Sequence, residues 1–357
     1  TNGQVSGRRN IIINGAMKVA QRSTSVAALG AAAGYFTLDR WNIATGSSAG
    51  RLTMTQTADG PSGFANCLKL DCTTADTSIA AGEFMKLEQR FEGQDLQAIG
   101  KGVAGAKEIT VSFYVKANAA FTFGVELYDI DNQRQITKLF DTTTGWVRHE
   151  ITFPADVDDG SSPFDDDNAQ SMQIGFWIHA GSTFTGGTLN TASWADNTNA
   201  NRAAGIDSFY SSTDNNFFIT GVQLEVGSVA TPFEHRSFGE ELALCQRYFQ
   251  RTYAYGTATG TATTVGALVG SMAVTHTFGD AGGTFKFPVV MRAAPTITLF
   301  STTNASTTGK ISADSTDGTG VASFISEAGF FPHRNSDNGG TAVNVFMRTH
   351  ITAEGEL

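Results

Sequence analysis

The chain has 357 residues, enough for two domains that each bury a core of their own. Charged residues make up 16%, below the roughly 25% that is usual for soluble proteins, and the 39 glycines are typical of an all-β chain with many tight turns. The net charge of -10 and the sequence pI near 5.0 leave no basic stripe for a phosphate backbone, which argues against nucleic acid as a partner. No apolar run approaches the roughly 20 residues of a membrane span, so we expect no membrane insertion.

The N-terminal part of the chain predicts an arm followed by the first strand of a large domain. Residues 1–9 are polar and turn-rich, and we interpret them as a linker or an arm. Ile11 to Ile13 predict the first strand of a domain that covers 10–235, and Asn14 with the following glycine predicts a turn. Trp41 follows a stretch of small residues, and we expect its ring in the core.

The middle of this domain shows the two-residue alternation of β-strands. Apolar residues occupy every second position over 109–116, 121–128 and 172–179, a pattern that predicts strands with one buried face. This register turns Tyr114, Tyr128 and Trp177 away from the core. Further strands are predicted at 50–56, 66–72, 84–91 and 146–153. The count suits a two-sheet antiparallel jelly roll.

A strand and a helix follow the jelly roll. The residues from Phe217 to Val226 predict a half-buried strand, and Ser237 with Glu240 has the spacing of a capping box that begins a helix. We expect the linking region to cover 236–251. Helical projection of 238–251 gives two apolar faces, formed by Phe238, Leu242, Cys245 and Phe249 and by Leu244 and Tyr248. Two faces predict a helix held between the two domains, or between one domain and a neighbouring protomer; the alternative is an amphipathic helix that covers a single core.

Residues 252–357 predict a second, smaller β-sandwich. Its strands are predicted within 285–300, 320–326 and 342–351, with polar loops at 301–319 and 332–341. The predicted fold class is therefore all-β: a jelly-roll β-sandwich, a linking helix and a second β-sandwich.

Several blocks of the sequence resemble one protein family. The segment ITGVQLEVGSVATPFEHRSFGEELALCQRYFQR closely resembles a recurring block in virion proteins of tailed bacteriophages, especially marine and cyanobacterial ones, described as tail fibres or other appendages. The blocks NIIINGAMKVAQR at 10–22, Leu38 to Trp41, TTTGWVRHEITFP at 142–154 and 165–194 resemble the same family. Together they cover most of residues 10–251.

The resemblance implies a fold, a location and partners. The first domain of this family is similar to a carbohydrate-binding-module jelly roll. The resemblance implies a virion protein on the particle surface, assembled in the host cytoplasm with other virion proteins, which attaches to host-surface polysaccharide. It also implies a homo-oligomer, and we expect a trimer. Three cysteines are an odd number, and we expect free thiols, which suits a reducing cytoplasm.

The conspicuous acidic segment between Asp156 and Asp167 is a candidate metal site. Asp165, Asp166 and Asp167 supply hard oxygen ligands of the kind that Ca²⁺ prefers. The alternative, a solvated acidic turn, is favoured because the spacing does not follow the EF-hand rule. The six histidines show no zinc-type spacing, and we expect no cofactor.

Surface recognition is the function that the remaining residues favour. Trp194 lies in a polar loop with Asn197, Asn199 and Arg202, and Tyr128 and Trp177 could extend a platform on which sugar rings stack. The alternative places the outward aromatic rings in a protomer contact or under a covering loop. No residues mark a nucleophile or a general-acid pair, so we expect no enzyme. Two rival functions stay open: a capsid or tail decoration protein that binds no glycan, and a polysaccharide depolymerase.

Overall fold

A computed structural model describes residues 9–157, 162–272, 284–313, 316–334 and 345–357. Strands account for 43% of the described residues and helices for 8%. The all-β fold class is therefore confirmed. Most of the expected N-terminal arm, 1–8, lies outside the described residues.

The chain divides into two compact units. The first comprises the residues through Ala20, Thr24–Glu241 and Leu357, and the second comprises Gln21–Ser23 and Leu242–Glu356.

The first unit contains thirteen strands among its described residues. These are β1 Ser25–Leu29, β2 Gly34–Tyr35, β3 Asn42–Gly46, β4 Arg51–Thr57, β5 Cys67–Thr74, β6 Phe84–Glu92, β7 Ile109–Ala117, β8 Thr122–Asp129, β9 Arg134–Asp141, β10 Val147–Phe153, β11 Gln170–Ala180, β12 Ala195–Asp196 and β13 Asn216–Val226. Short helical turns lie at Gly93–Asp95, Gln97–Ile99, Ser182–Thr185 (α1), Asn199–Asn201 and Phe209–Ser211. The strands expected from alternation are observed within two residues at each end.

These strands form two antiparallel sheets that enclose one core. The six-stranded sheet has the order β1-β4-β5-β13-β7-β10, and the seven-stranded sheet has the order β12-β9-β8-β11-β6-β3-β2. Phe113 of the six-stranded sheet packs against Phe140 and Phe176 of the seven-stranded sheet, with ring centroids 5.0 and 5.1 Å apart. The inward residues of β7, β8 and β11 belong to this core, as alternation predicts.

The first strand predicted from sequence, at Ile11 to Ile13, is not formed. This segment is buried but irregular, so side chains satisfy its backbone: Gln89 accepts from the N–H of Ile13 and donates to its carbonyl, both at 2.8 Å. The turn predicted at Asn14 is confirmed, with a positive φ of 59°. The Asn14 carbonyl accepts a hydrogen bond from the indole of Trp41, which is fully buried as expected.

The helix predicted over 238–251 is shorter than expected. The helix α2 covers Phe238–Gln246, and Phe249–Arg251 forms the strand β14. The capping box is confirmed, because the Ser237 N–H donates to Glu240 Oε2 and the Glu240 N–H donates to Ser237 Oγ. Tyr248 and Phe249 therefore lie beyond the helix, and the projection into two apolar faces does not apply to them. The expectation of a sandwiched helix stays a prediction.

The strands of the second unit are arranged around its last strand. They are β14 Phe249–Arg251, β15 Leu268–Met272, β16 Phe285–Lys286, β17 Thr296–Phe300, β18 Lys310–Ala313, β19 Thr316–Ser326, β20 Gly329–Arg334 and β21 Val345–Glu354. One half of β21 pairs with β15 and β18, and the other half pairs with β14 and β17. The loop predicted at 301–319 is partly wrong, because β18 and the start of β19 lie within it. The second predicted loop, 332–341, is wrong at 332–334, which belong to β20, and residues 335–344 lie outside the described residues.

Candidate functional site

The outer face of the seven-stranded sheet carries two of the predicted glycan-binding residues. Tyr128 of β8 and Trp177 of β11 point away from the core, as alternation predicts. The ring of Trp177 is nevertheless only 1% exposed, and Tyr128 is 9% exposed. The predicted direction of both side chains is correct, but neither ring presents an open stacking face.

A covering segment, defined here as Gly181–Ser211, explains this burial. Its backbone is tied to the sheet: Asn190 O accepts from the N–H of Thr137, and the N–H of Asp207 donates to Thr122 O. Phe184 packs its ring 5.3 Å from that of Trp177. The alternative that places the outward aromatic rings under a covering loop is the one that the structure favours.

Arg202 of the covering segment reaches onto this face. Its guanidinium donates to both carboxylate oxygens of Glu126, at 2.7 and 2.8 Å, and lies 4.5 Å from the ring centroid of Tyr128 and 5.1 Å from that of Trp177. The indole of Trp177 also donates to Glu126, at 2.9 Å. Burial works to lower the pKa of Arg202, but the Glu126 carboxylate outweighs it and raises the pKa. Arg202, Tyr128 and Trp177 thus come together around Glu126. We call these four residues the internal clamp.

The same face carries a second buried carboxylate, Glu88 of β6. Glu88 and Glu126 lie on either side of Gly175 in β11, and the Lys86 ammonium is 2.9 Å from Glu88 and 4.0 Å from Glu126. Burial works to raise the pKa of Glu88, but Lys86 and Arg90 outweigh it and lower the pKa. A glycosidase needs one carboxyl group whose raised pKa keeps it protonated as the general acid. The lowered pKa of Glu88 is the opposite of what that role requires.

The prediction that Trp194 offers an exposed stacking ring is wrong. The ring is 7% exposed and belongs to the core of the first unit, and its indole donates to Pro154 O at 2.9 Å. The Trp194 carbonyl also accepts from Arg134, which forms a bidentate ion pair with Asp156. Because the loop is polar in composition, its sequence does not indicate that Trp194 is buried and fixes the loop to the core.

The other predicted residues of this loop do not assemble into a sugar site. Asn197 is half-buried and its N–H donates to Gln133 O, while Asn199 is exposed at the start of a helical turn. Asp165, Asp166 and Asp167 are exposed and do not converge with other ligands among the described residues, so the predicted Ca²⁺ candidate is not supported there. The cluster in the described part of the chain that does converge is Asp76, Glu83 and His179, whose ligand atoms lie within 4.8 Å of one another.

The outer face of the six-stranded sheet carries aromatic rings that are partly exposed. Cross-strand pairing places Lys69 of β5 opposite Phe218 of β13, and Phe218 opposite Lys116 of β7. Lys116 Nζ lies 4.6 Å from the centroid of Phe218 and 5.2 Å from that of Trp146, which immediately precedes β10. We call Lys69, Phe218, Lys116 and Trp146 the aromatic row. All four side chains are partly exposed.

Further rings continue the aromatic row along the same face. Tyr114 lies two residues before Lys116 on β7, and its ring is 5.4 Å from that of Phe64. Phe64 in turn contacts Phe233 at 5.0 Å and His235 at 5.2 Å. Of these residues, alternation in the sequence identified Tyr114 as outward. The same alternation applied to Phe217, Phe218 and Ile219 would have identified Phe218 as well.

The three cysteines form no disulfide, as expected, and all three side chains are buried. Burial raises the pKa of Cys67 to about 12 and that of Cys72 to about 11, so neither is a reactive thiolate near neutral pH. In the described ranges, no helix is long and apolar enough to cross a membrane.

Comparison with known proteins gives similarity to solved structures alone, since no family model and no curated protein matches the sequence. The chain is similar to a CBM4 carbohydrate-binding module, with 12% identity, a TM-score of 0.31, and coverage of 60% of this chain and 97% of that one. It is also similar to TmCBM61 solved with β-1,4-galactotriose, with 10% identity, a TM-score of 0.32, and coverage of 61% and 99%. A family 11 module from Clostridium thermocellum, solved with a mixed-linked tetrasaccharide, has 11% identity, a TM-score of 0.28, and coverage of 58% and 99%. At this degree of similarity, the function has to be inferred from this chain's own residues.

Proposed function

We propose that this chain is a non-enzymatic glycan-binding protein of a bacteriophage appendage, and that the aromatic row is its contact surface. The observation that carries this proposal is the pair of partly exposed rings, Trp146 and Phe218, which are 6.3 Å apart on one sheet face. Sugar rings stack their C–H faces on aromatic side chains, and amines and carboxylates at the rim bind their hydroxyl groups.

The strands under the aromatic row hold it rigidly. Phe217 and Ile219, the neighbours of Phe218, are fully buried in the core, and β13 pairs with both β5 and β7. A side chain that is already fixed loses little conformational entropy when a ligand binds. The two rings, whose planes are inclined at 76°, are therefore presented to a polysaccharide segment at low entropic cost.

The rim of the aromatic row has exchangeable polar groups. Lys116 is paired with the exposed Asp59 at 2.7 Å, and Lys69 is paired with Asp71 at 3.1 Å. Exposed ion pairs of this kind contribute roughly 0–1 kcal/mol, so sugar hydroxyl groups can replace them at little cost. The row combines apolar ring faces with donors and acceptors that are only weakly paired.

The place of the protein on a virion rests on the resemblance of its sequence blocks to phage appendage proteins. A homotrimer that contacts other virion proteins, with the aromatic row turned toward host-surface polysaccharide, is the arrangement that we propose. Sedimentation at micromolar concentration tests the oligomer, since a trimer has about three times the chain mass of 37.8 kDa. A single species of monomer mass would contradict this part of the proposal.

A second candidate, a structural appendage protein that binds no glycan, is favoured by one observation. Arg202 and Phe184 of the covering segment contact Glu126 and Trp177 on the seven-stranded sheet, so the Trp177 ring is closed to a sugar chain. In this case the aromatic row would contact a neighbouring protein instead.

Substitution of Trp146 separates the two candidates. Loss of a central stacking ring costs about 2 kcal/mol or more, so Trp146→Ala should weaken binding at least about 30-fold in affinity electrophoresis against a panel of bacterial polysaccharides. Phe324→Ala is the matched control, because Phe324 is 87% exposed in the second unit and lies outside the aromatic row. If a folded Trp146→Ala variant is retarded as strongly as the parent, the aromatic row is not the binding site. If the parent binds none of the polysaccharides, the result favours the structural candidate.

A further inference from the structure

Three metal-ligating side chains from distant parts of the sequence converge under the covering segment. Asp76 follows β5, Glu83 immediately precedes β6, and His179 lies near the end of β11. One ligand atom from each lies within 4.8 Å of the others, and all three residues are more than nine-tenths buried, with His179 fully so. This cluster plays no part in the proposed glycan surface, which lies on the other sheet.

Two of these ligand atoms have no hydrogen-bond partner in the described part of the chain. They are Glu83 Oε2 and His179 Nε2, and they face each other at 3.9 Å. Buried polar atoms are normally paired, and an unpaired acceptor opposite an unpaired imidazole nitrogen indicates that a further atom belongs between them. Two ligands about 2.1 Å from a tetrahedral metal ion lie about 3.4 Å apart, so a small side-chain rotation brings both into range.

The surroundings orient the other atoms of the cluster. His179 Nδ1 lies 2.8 Å from Ser208 Oγ, and the tautomer that donates from Nδ1 leaves the lone pair of Nε2 available. Asp76 accepts from the Ser48 hydroxyl and from the N–H groups of Ala49 and Ser78. These contacts are typical of the outer partners that hold metal ligands in position.

We propose that Asp76, Glu83 and His179 bind a divalent transition-metal ion of the Zn²⁺ type. One imidazole nitrogen with two carboxylate oxygens suits Zn²⁺ and its neighbours, whereas Ca²⁺ and Mg²⁺ prefer oxygen ligands alone. Three protein ligands leave a fourth position for water.

Burial changes the charge states of two of the three side chains. Burial lowers the pKa of His179 to about 4, so its imidazole is neutral near pH 7 and needs to lose no proton to bind a metal. Burial, together with the neighbouring Asp76 carboxylate, raises the pKa of Glu83. A divalent cation would relieve the repulsion between these two carboxyl groups.

Calorimetric titration of the chelator-treated full chain with ZnCl₂ or CaCl₂ tests the proposal. We expect one Zn²⁺ per chain, a higher melting temperature with Zn²⁺ than with Ca²⁺, and at least about 10-fold weaker Zn²⁺ binding by His179→Gln and by Glu83→Gln. His235→Gln, which removes an exposed histidine elsewhere, should bind Zn²⁺ as the parent does. Zn²⁺ binding that His179→Gln leaves unchanged, or no binding by the parent, would overturn the proposal.

Two further measurements test the proposal if the ligand variants do not fold. Ser208→Ala keeps all three ligands and removes the group that orients His179, so Zn²⁺ affinity should fall about 10-fold. X-ray absorption at the zinc edge of the parent protein should show oxygen and nitrogen ligands with the signature of a single imidazole. A spectrum with several imidazoles, or with none, would assign the metal to another place on the chain and overturn the proposal.

Discussion

The two outer faces of the first unit carry the same pair of residue types in different surroundings. On the seven-stranded sheet, Lys86 Nζ lies 5.3 Å from the ring of Trp177, and on the six-stranded sheet, Lys116 Nζ lies 5.2 Å from the ring of Trp146. The first pair is buried under the covering segment and tied to carboxylates, whereas the second is partly exposed. The covering segment, and not the residue type, therefore decides which aromatic rings are available to a ligand.

The charged groups on the two faces also differ in their burial. Glu126 is fully buried and is held by Arg202, Trp177 and Lys86, so each partner removed leaves an uncompensated polar group. The ion pairs on the six-stranded sheet are exposed, and solvent screens them. Equal substitutions on the two faces should therefore give very unequal losses of stability.

The largest effect is expected from removal of the shared carboxylate. Glu126→Ala leaves the Arg202 guanidinium buried without its partner, and we expect a loss of about 3–5 kcal/mol in the free energy of unfolding. Glu150→Ala is the control, because Glu150 is an exposed partner of Arg148, and its loss should stay within about 1 kcal/mol. Urea denaturation at pH 7 measures both. Similar losses for the two variants would mean that the clamp does not hold the covering segment.

The next largest effect on stability is expected from substitution of a buried tryptophan, compared with substitution of a partly exposed one. Trp194→Ala removes a core ring and its hydrogen bond to Pro154, and we expect a loss of about 3 kcal/mol with little direct effect on ligand binding. Trp146→Ala removes a partly exposed ring, and its loss of stability should be about 1 kcal/mol. Thermal denaturation should rank them in this order. The reverse order would contradict the assignment of Trp194 to the core and Trp146 to the surface.

A pH titration tests the buried charges of the covered face. The pKa of Glu88 lies below its ordinary value of 4.5, because Lys86 and Arg90 outweigh the effect of burial. Its charge therefore adds stability that is fully present above pH 4.5 and is lost as the pH falls through the lower folded pKa. Glu88→Gln should lower the free energy of unfolding near neutral pH. The difference in this free energy between the variant and the parent should become smaller as the pH falls below 4.5. A difference that is constant with pH would contradict this role.

The directions of the side chains could be predicted from sequence, but their accessibility could not. Alternation placed Tyr128 and Trp177 on the outer side of their strands, because the side-chain period of a strand is local. Whether a segment covers that side depends on contacts such as those between Thr137 and Asn190, which no local pattern encodes. Trp194 was misassigned for the same reason, since its partner Pro154 is 40 residues away.

Both candidate sites depend on contacts between distant segments. The aromatic row needs the register between β5, β13 and β7, which places Phe218 beside Lys69, 149 positions away, and beside Lys116, 102 positions away. Asp76, Glu83 and His179 are likewise brought together by pairing of β6 with β11 and by the connection after β5. The histidine spacing argued against zinc because it describes ligands from one local segment, whereas this cluster draws on three.

The smallest effect is expected from a lysine on the exposed face. Lys116→Met keeps most of the apolar stem beside Trp146 and Phe218 and removes the ion pair with Asp59 and the cation–π contacts, each of which contributes roughly 0.5–1 kcal/mol or less at an exposed site. Because the new side chain also packs against the rings, the free energy of unfolding should change by less than about 1 kcal/mol. Lys86→Met is the matched substitution on the covered face, and it should cost more because Glu88 and Glu126 lose a buried counter-ion. Parallel urea titrations compare the two variants directly. The contrary outcome is that Lys116→Met destabilises the chain to the same extent as Lys86→Met. That result would show that the contacts of the exposed face are needed for folding, as those of the covered face are. The aromatic row would then not be free to exchange its contacts for those of a ligand.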